Sequence, residues 1–222
     1  MSEEEGRSKM YRKPNFTPDE ALRALQEGNL RYAAGKAQFP NLCQNRRAAT
    51  ANEGQAPFVT VLSCSDSRVP AEHIFDRGIG DLFVVRVAGN VMGPSELASV
   101  EYAVGHLNTP LFVVLGHTKC GAVTAVVESG LLDGNLRGLS ERILPALEKA
   151  KSSCPGAPRD QLVMETVKVN VWKAIEDAFE LSACIKARVK EGSLLVLGAL
   201  YDLHTGRIEW LGRHPEESNL FE

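Results

Sequence analysis

The sequence predicts an α/β fold: a mostly parallel central sheet of four strands plus an antiparallel C-terminal edge strand, flanked by helices, with an N-terminal helical arm. Three observations predict it. Apolar runs of strand length recur along the chain and are separated by helical patterns. The runs are apolar or β-branched throughout instead of alternating, as strands covered on both faces are. The last run follows a short polar turn, which is a hairpin signal.

Residues 1–15 are polar and aperiodic and read as a mobile N-terminal tail, leaving 16–222 as a single domain. Thr17-Pro18-Asp19-Glu20 opens the first helix, with Thr17 as cap, Pro18 at the first position and Glu20 closing a capping box. Ala21, Leu22, Leu25, Leu30 and Tyr32 give this helix an apolar face, and Gly35 ends it. Such a face before the sheet suits a partner subunit. Strands are predicted near 57–63, 82–87, 111–116 and 193–199. Helices are predicted near 70–76, 94–107, 120–129, 138–151 and 160–190. In the last of these, Val163, Val167, Val171, Ile175 and Phe179 step by four along one face, with a break near Ser182. The stretch at 89–94 reads as a loop, 201–206 as a turn and 207–211 as the antiparallel edge strand.

Composition narrows the function. At 222 residues the chain has 44% hydrophobic and 24% charged residues, ordinary for a globular domain able to bury its own core. A net charge of -3 speaks against nucleic-acid and anionic-membrane partners, which favour basic patches. No apolar stretch reaches transmembrane length, and the first residues lack a secretory pattern. Five cysteines at irregular spacing do not form a disulfide framework, so reduced thiols in the cytoplasm are expected.

Two segments then stand out. Cys64-Ser-Asp66-Ser-Arg68 follows the apolar run Phe58-Val-Thr-Val-Leu62, and His117-Thr-Lys-Cys120-Gly121 follows Leu111-Phe-Val-Val-Leu115. Parallel strands deliver both segments to the carboxyl edge of the sheet, where open α/β sheets bind ligands. Cys64, His117 and Cys120 make three zinc ligands, and a catalytic zinc keeps its fourth position open. Arg68 can fork onto Asp66 and hold it ionised, so that Asp66 accepts the hydrogen bond of a zinc-bound hydroxide and orients it. In isolation a buried cysteine is a small hydrophobe and an Asp–Arg pair a surface ion pair. Their shared company at one sheet edge favours the metal reading. Cys43, Cys154 and Cys184 lack such company and read as structural or surface thiols. His73, His106, His204 and His214 read as helix, turn or tail residues.

With these residues the sequence resembles the β-class carbonic anhydrases. The resemblance is carried by Cys64-Ser-Asp66-Ser-Arg68-Val-Pro-Ala-Glu72, by Asp81-Leu-Phe-Val-Val-Arg86-Val-Ala-Gly-Asn90 and by Gly116-His117-Thr-Lys-Cys120-Gly121-Ala122. Gly198-Ala-Leu-Tyr201-Asp202-Leu-His-Thr-Gly206 also matches, and the similarity runs from about residue 17 to residue 211. It implies one Zn2+ per chain, reversible hydration of CO2 to bicarbonate and a proton, and a homodimer or higher homo-oligomer. It further implies that Gln55 and the Gly121 N–H bind substrate or product oxygens, and that Phe83, Ala88 and Tyr102 wall the CO2 pocket, partly across a dimer interface. In some members the carboxylate matching Asp66 leaves its arginine and closes the zinc site. The bicarbonate-regulated branch has tryptophan where this chain has Val61, which favours the open, plant-type branch. Two alternatives stay open: hydrolysis of CS2 or carbonyl sulfide on the same scaffold, and a zinc-binding homologue without turnover. A nucleobase deaminase is excluded by its missing His-x-Glu and Pro-Cys-x-x-Cys signatures. A cysteine phosphatase is excluded because Pro70 stands where its arginine would be.

Overall fold

In the computed structural model, which describes residues 16–221, five strands form one sheet. They are β1 Val59–Ser63, β2 Leu82–Arg86, β3 Leu111–His117, β4 Leu195–Tyr201 and β5 Ile208–Gly212, in the order β2-β1-β3-β4-β5. The first four pair in parallel and β5 runs antiparallel to β4. Helices α1 Pro18–Ala33, α2 Gln44–Glu53, α3 Ala71–Ile74 and α4 Pro94–Glu101 precede β3. Helices α5 Gly121–Ser129, α6 Arg137–Ser153, α7 Arg159–Leu181 and α8 Ala183–Lys190 lie between β3 and β4. The expected tail, 1–15, lies outside the described residues.

Strand alternation sorts the core into two layers. Phe112 and Val114 of β3 join Leu62 and, from α7, Val167, Val171, Ile175 and Phe179. Leu111, Val113 and Leu115 face the other way, with Val59 and Val61, onto Leu25 of α1, Ile74 of α3 and Phe75 just after it. A sheet covered on both faces must be apolar throughout, which is why β1, β3 and β4 are buried at every position. Next to the site, Gly116 lets α7 approach closely, since a Cβ there would stand 2.7 Å from Val171 Cγ2.

Four details differ from the sequence reading. Helix α2 forms where no element is predicted, because it buries none of its residues and so has no apolar periodicity to read. It is anchored by polar contacts, with Arg46 reaching the Ile79 carbonyl at 2.7 Å and Asp81 at 3.0 Å. The helix predicted over 94–107 is α-helical only to Glu101 and widens to a π turn over Tyr102–His106. Within the loop predicted at 89–94, Ala88–Asn90 makes a 3₁₀ turn. Strand β4 continues to Tyr201, which pairs with His117 instead of starting the turn.

Asn29, buried in α1, ties this layer together. Its Nδ2 donates to the Ile74 carbonyl at 3.2 Å and to the Gly206 carbonyl at 2.9 Å, and its Oδ1 accepts from the Ile208 N–H at 2.9 Å. Asn29→Ala leaves these backbone groups without their partner, which costs about 2–3 kcal/mol. Urea unfolding should show that loss; a change below about 0.5 kcal/mol would mean the three bonds do not bind the arm to the sheet.

Candidate metal centre

The chain leaves β1 toward β2 on one side and leaves β3 toward β4 on the other, so the strand order reverses between β1 and β3. Ligands of open α/β sheets bind at that crevice. Ser63 pairs with Leu115, so Cys64 leaves β1 level with Gly116, one residue short of His117. The turn after β3, with Lys119 at φ 54°, brings Cys120 back to the start of α5. The three donor atoms lie within 4.8 Å of one another and all three residues are buried. The Cys64 and Cys120 sulfurs are 4.0 Å apart.

Each donor is aimed by its surroundings. His117 Nδ1 lies 2.9 Å from the Thr118 carbonyl, which can only accept, so Nδ1 carries the proton and Nε2 presents its lone pair. That Nε2 is buried without a hydrogen-bond partner. Thr118 is itself held, its N–H by the Tyr201 carbonyl at 2.9 Å and its hydroxyl oxygen by the Leu203 N–H at 3.0 Å. Cys64 Sγ accepts from the N–H groups of Gly89 at 3.2 Å and Asp66 at 3.4 Å. Gly89 is fixed in turn by Asn170 of α7, whose Nδ2 donates to the Gly89 carbonyl at 2.7 Å. Only glycine suits that place, at φ 72° and with Ile143 Cδ1 3.0 Å from a would-be Cβ.

These contacts set the ionisation of the thiols. Cys64 is pushed down, first by the Cys120 S–H and further by the two backbone N–H groups. Cys120 is pushed up, because it donates to Cys64 and is buried. The two thiols are thus unequal, Cys64 favoured as the thiolate and Cys120 as its S–H donor. Two sulfurs, an orphaned imidazole nitrogen and spacing near the roughly 3.8 Å expected between tetrahedral zinc thiolates make a donor set that fits Zn2+.

Asp66 and Arg68 stand at the rim. Arg68 Nε donates to Asp66 Oδ1 at 2.9 Å, Nη2 to Oδ2 at 2.7 Å, and the Arg68 N–H to Oδ1 at 3.0 Å. This fork holds the Asp66 carboxyl well below the usual carboxylate range. Arg68 Nη2 also donates to the Lys119 carbonyl at 3.2 Å, joining the two ligand-bearing turns. Asp66 Oδ2 lies 3.9 Å from His117 Nε2, facing the donors. Arg86 closes the rim from β2, donating to the Cys64 carbonyl at 3.2 Å and the Asp66 carbonyl at 2.7 Å.

The other anticipated residues are spread more widely. Ala88 directly precedes the Gly89 N–H on Cys64, and Gly121 follows Cys120 at the start of α5, with nothing within 4 Å of a Cβ. Phe83 and Tyr102 face each other, ring centroids 6.0 Å apart, and Tyr102 is half exposed. Gln55 lies exposed in the connection entering β1, at the opposite end of that strand from Cys64. Val61 is buried on the sheet face away from Leu62 and Cys64. Arg86, Gly89 and Asn170 carry site contacts that the sequence reading did not assign. Arg86 and Gly89 lay inside a quoted segment without a role, and Asn170 was hidden in the polar positions of a long helix.

The family model described as carbonic anhydrase matches residues 59–208. Carbonic anhydrase 2 of Mycobacterium tuberculosis is 42% identical over 200 residues, covering 87% of this chain and 93% of that protein. The carbonic anhydrase of Mycolicibacterium smegmatis is 39% identical, with coverage of 88% and 94%. Among solved structures, the β-carbonic anhydrase CafA of Aspergillus fumigatus superimposes with a TM-score of 0.72 at 29% identity, covering 90% of this chain and 94% of that one. One of two tetrameric β-carbonic anhydrases from Sordaria macrospora gives 0.69 at 27% identity, covering 86% and 96%.

Asn170→Ala removes the bond that aims the Gly89 N–H at Cys64. Losing a support of this kind lowers metal affinity by about tenfold to a hundredfold. Competition with a zinc chelator should show that loss with the circular dichroism unchanged; wild-type affinity would remove Asn170 from the support of the site.

Proposed function

We propose the reaction and its residues from one premise: the chain belongs to the β-class carbonic anhydrases, and it interconverts CO2 and bicarbonate. Cys64, His117 and Cys120 would hold Zn2+. Bound there, zinc supplies Lewis acidity that lets water ionise near neutral pH; in the three-histidine carbonic anhydrases the pKa falls to about 7. Everything else falls to the chain's own side chains.

Asp66 is the orienting group in this reading. An ionised carboxylate can only accept hydrogen bonds, so it favours a nucleophile that still carries a proton and turns that proton toward Oδ2. The nucleophile's lone pair is then free for CO2. Arg68 makes this possible by taking both oxygens in a planar fork that a lysine cannot reproduce. The observation that carries the proposal is the conjunction of the orphaned His117 Nε2 with a carboxylate oxygen 3.9 Å away, locked by Arg68. The same fork supports the open form of the site, in which Asp66 stays on Arg68.

Phe83, Ala88 and Tyr102 supply apolar walls for CO2, and the Gly121 N–H supplies a donor for a developing bicarbonate oxygen. Gln55 reaches an active site only in an assembly, since its own strand carries it to the far edge of the sheet. That place, and a helix α2 that buries nothing, support a homo-oligomer of two copies or more in which one copy's Gln55 serves its neighbour. The reduced thiols fit the cytoplasm as its setting.

Stopped-flow CO2 hydration tests the roles. Asp66→Asn should keep one zinc per chain while kcat/KM falls about a hundredfold, in the range of positioned proton acceptors. Equal activity in both proteins would end the orienting role. Arg68→Ala should steepen the acid limb of the rate profile near its lower end. Asp66 is depressed chiefly by the Arg68 fork, so in the wild type it stays charged until the pH falls below the usual carboxylate range. Without the fork it returns toward about 3.9, and its protonation adds there to that of the nucleophile, which protonates nearer neutrality. An acid limb of unchanged slope down to about pH 4 would show that Arg68 does not set the ionisation of Asp66.

A further inference from the structure

A cavity of about 760 Å3 lies beside the metal centre without opening on its donors. Its lining includes Arg68, Lys119, Val163, Met164, Leu203 and His204. CO2 and bicarbonate have three and four heavy atoms. Cavities of about 300–1,000 Å3 hold ligands several times that size.

The charges in the lining are unequally satisfied. Arg68 spends Nε and Nη2 on Asp66 and on the Lys119 carbonyl, and among the described residues its Nη1 makes no hydrogen bond. Nor does Lys119 Nζ have a hydrogen bond or ion pair among the described residues. The two carboxylates of the lining are both engaged. Asp202 Oδ1 accepts from the His204 and Thr205 N–H groups and the Thr205 hydroxyl, and Asp160 takes Arg159 at 3.1 Å. Arg159 is also paired with Glu128. The exposed Lys119 ammonium, without a partner among the described residues, and the unengaged Nη1 of the Asp66-paired Arg68 therefore line the cavity together with Val163, which is buried, and Met164 and Leu203, which are half-buried.

We infer that this cavity binds an amphipathic carboxylate. The headgroup lies against Arg68 Nη1 and Lys119 Nζ, and the apolar body lies over Val163, Met164 and Leu203. The guanidinium is then shared between the ligand and Asp66. A second anion on it competes with Asp66 for the guanidinium and loosens the fork that holds the carboxylate in place, so the ligand slows hydration without contacting the metal. This effect on rate rests on the orienting role of Asp66 proposed above; the binding does not.

The probe is hexanoate, titrated calorimetrically into the zinc-loaded protein, with hexanol as the uncharged control. Saturable binding of hexanoate is expected, about tenfold weaker for hexanol and about tenfold weaker in Lys119→Gln. Met164→Glu places a carboxylate in the lining; it should bind hexanoate about tenfold more weakly, and its remaining CO2 hydration should resist inhibition by hexanoate. No saturable heat, or equal affinity in wild type and both variants, would overturn the site. Hexanoate inhibition undiminished in Met164→Glu would place the carboxylate on the metal and overturn it too. Binding without inhibition would overturn the coupling to Asp66. Should Asp66→Asn stay fully active while hexanoate still binds as expected, the orienting role fails and the cavity stands as a carboxylate site.

Discussion

Two sulfurs held 4.0 Å apart around an imidazole nitrogen with no partner is the arrangement on which the rest of the structure depends. Burying three such groups without a shared cation is unfavourable, because thiolates repel and a buried lone pair goes unsatisfied. The fold meets this locally by surrounding the cluster with backbone dipoles. N–H groups of Gly89 and Asp66 point at one sulfur, and the Thr118 carbonyl fixes the imidazole. Gly89 is fixed again one layer out by Asn170, Asp66 by Arg86 and Thr118 by the end of β4. The sheet order then acquires a chemical reason. Adjacency of β1 and β3 at the reversal point brings the two ligand turns together, and the length of β4 sets where the histidine stops.

In the proposed reaction, Asp66 and Arg68 extend this logic from holding a metal to orienting a nucleophile. The pair sits two and four residues after Cys64 and so moves with the first ligand turn. Its extra bond to the Lys119 carbonyl ties it to the second turn. A displacement of either turn is therefore felt by the carboxylate that faces the donors. Arg68 is about half exposed, whereas Asp66 is largely covered. The ion pair thus stands between the reacting edge and the cavity behind it.

What could be read from the sequence, and what could not, follows from which force positions each part. Strands β1 and β3 and the long helix α7 are set by apolar burial, which leaves its period in the chain, and all three were legible. The donors were legible because their chemistry is rare and each directly follows such a strand. Helix α2 is held by Arg46 and Asp81 and has no apolar face, so no period marked it. The π turn at Tyr102–His106 depends on Arg188 of α8, which bonds the Val104 carbonyl from more than eighty positions away. Asn170 was equally hidden, because a polar residue in a helix does not announce the carbonyl it holds. Gln55 shows a different limit: the role proposed for it needs a neighbouring copy, and a single sequence or a single chain cannot display such a contact.

The most direct test of the account is a crystal structure of the zinc-loaded protein near pH 7. The account predicts one zinc on Cys64, His117 and Cys120, with the Asp66 carboxylate still forked by Arg68 and clear of the metal. Asp66 released from Arg68 and bound as the fourth zinc ligand would contradict it.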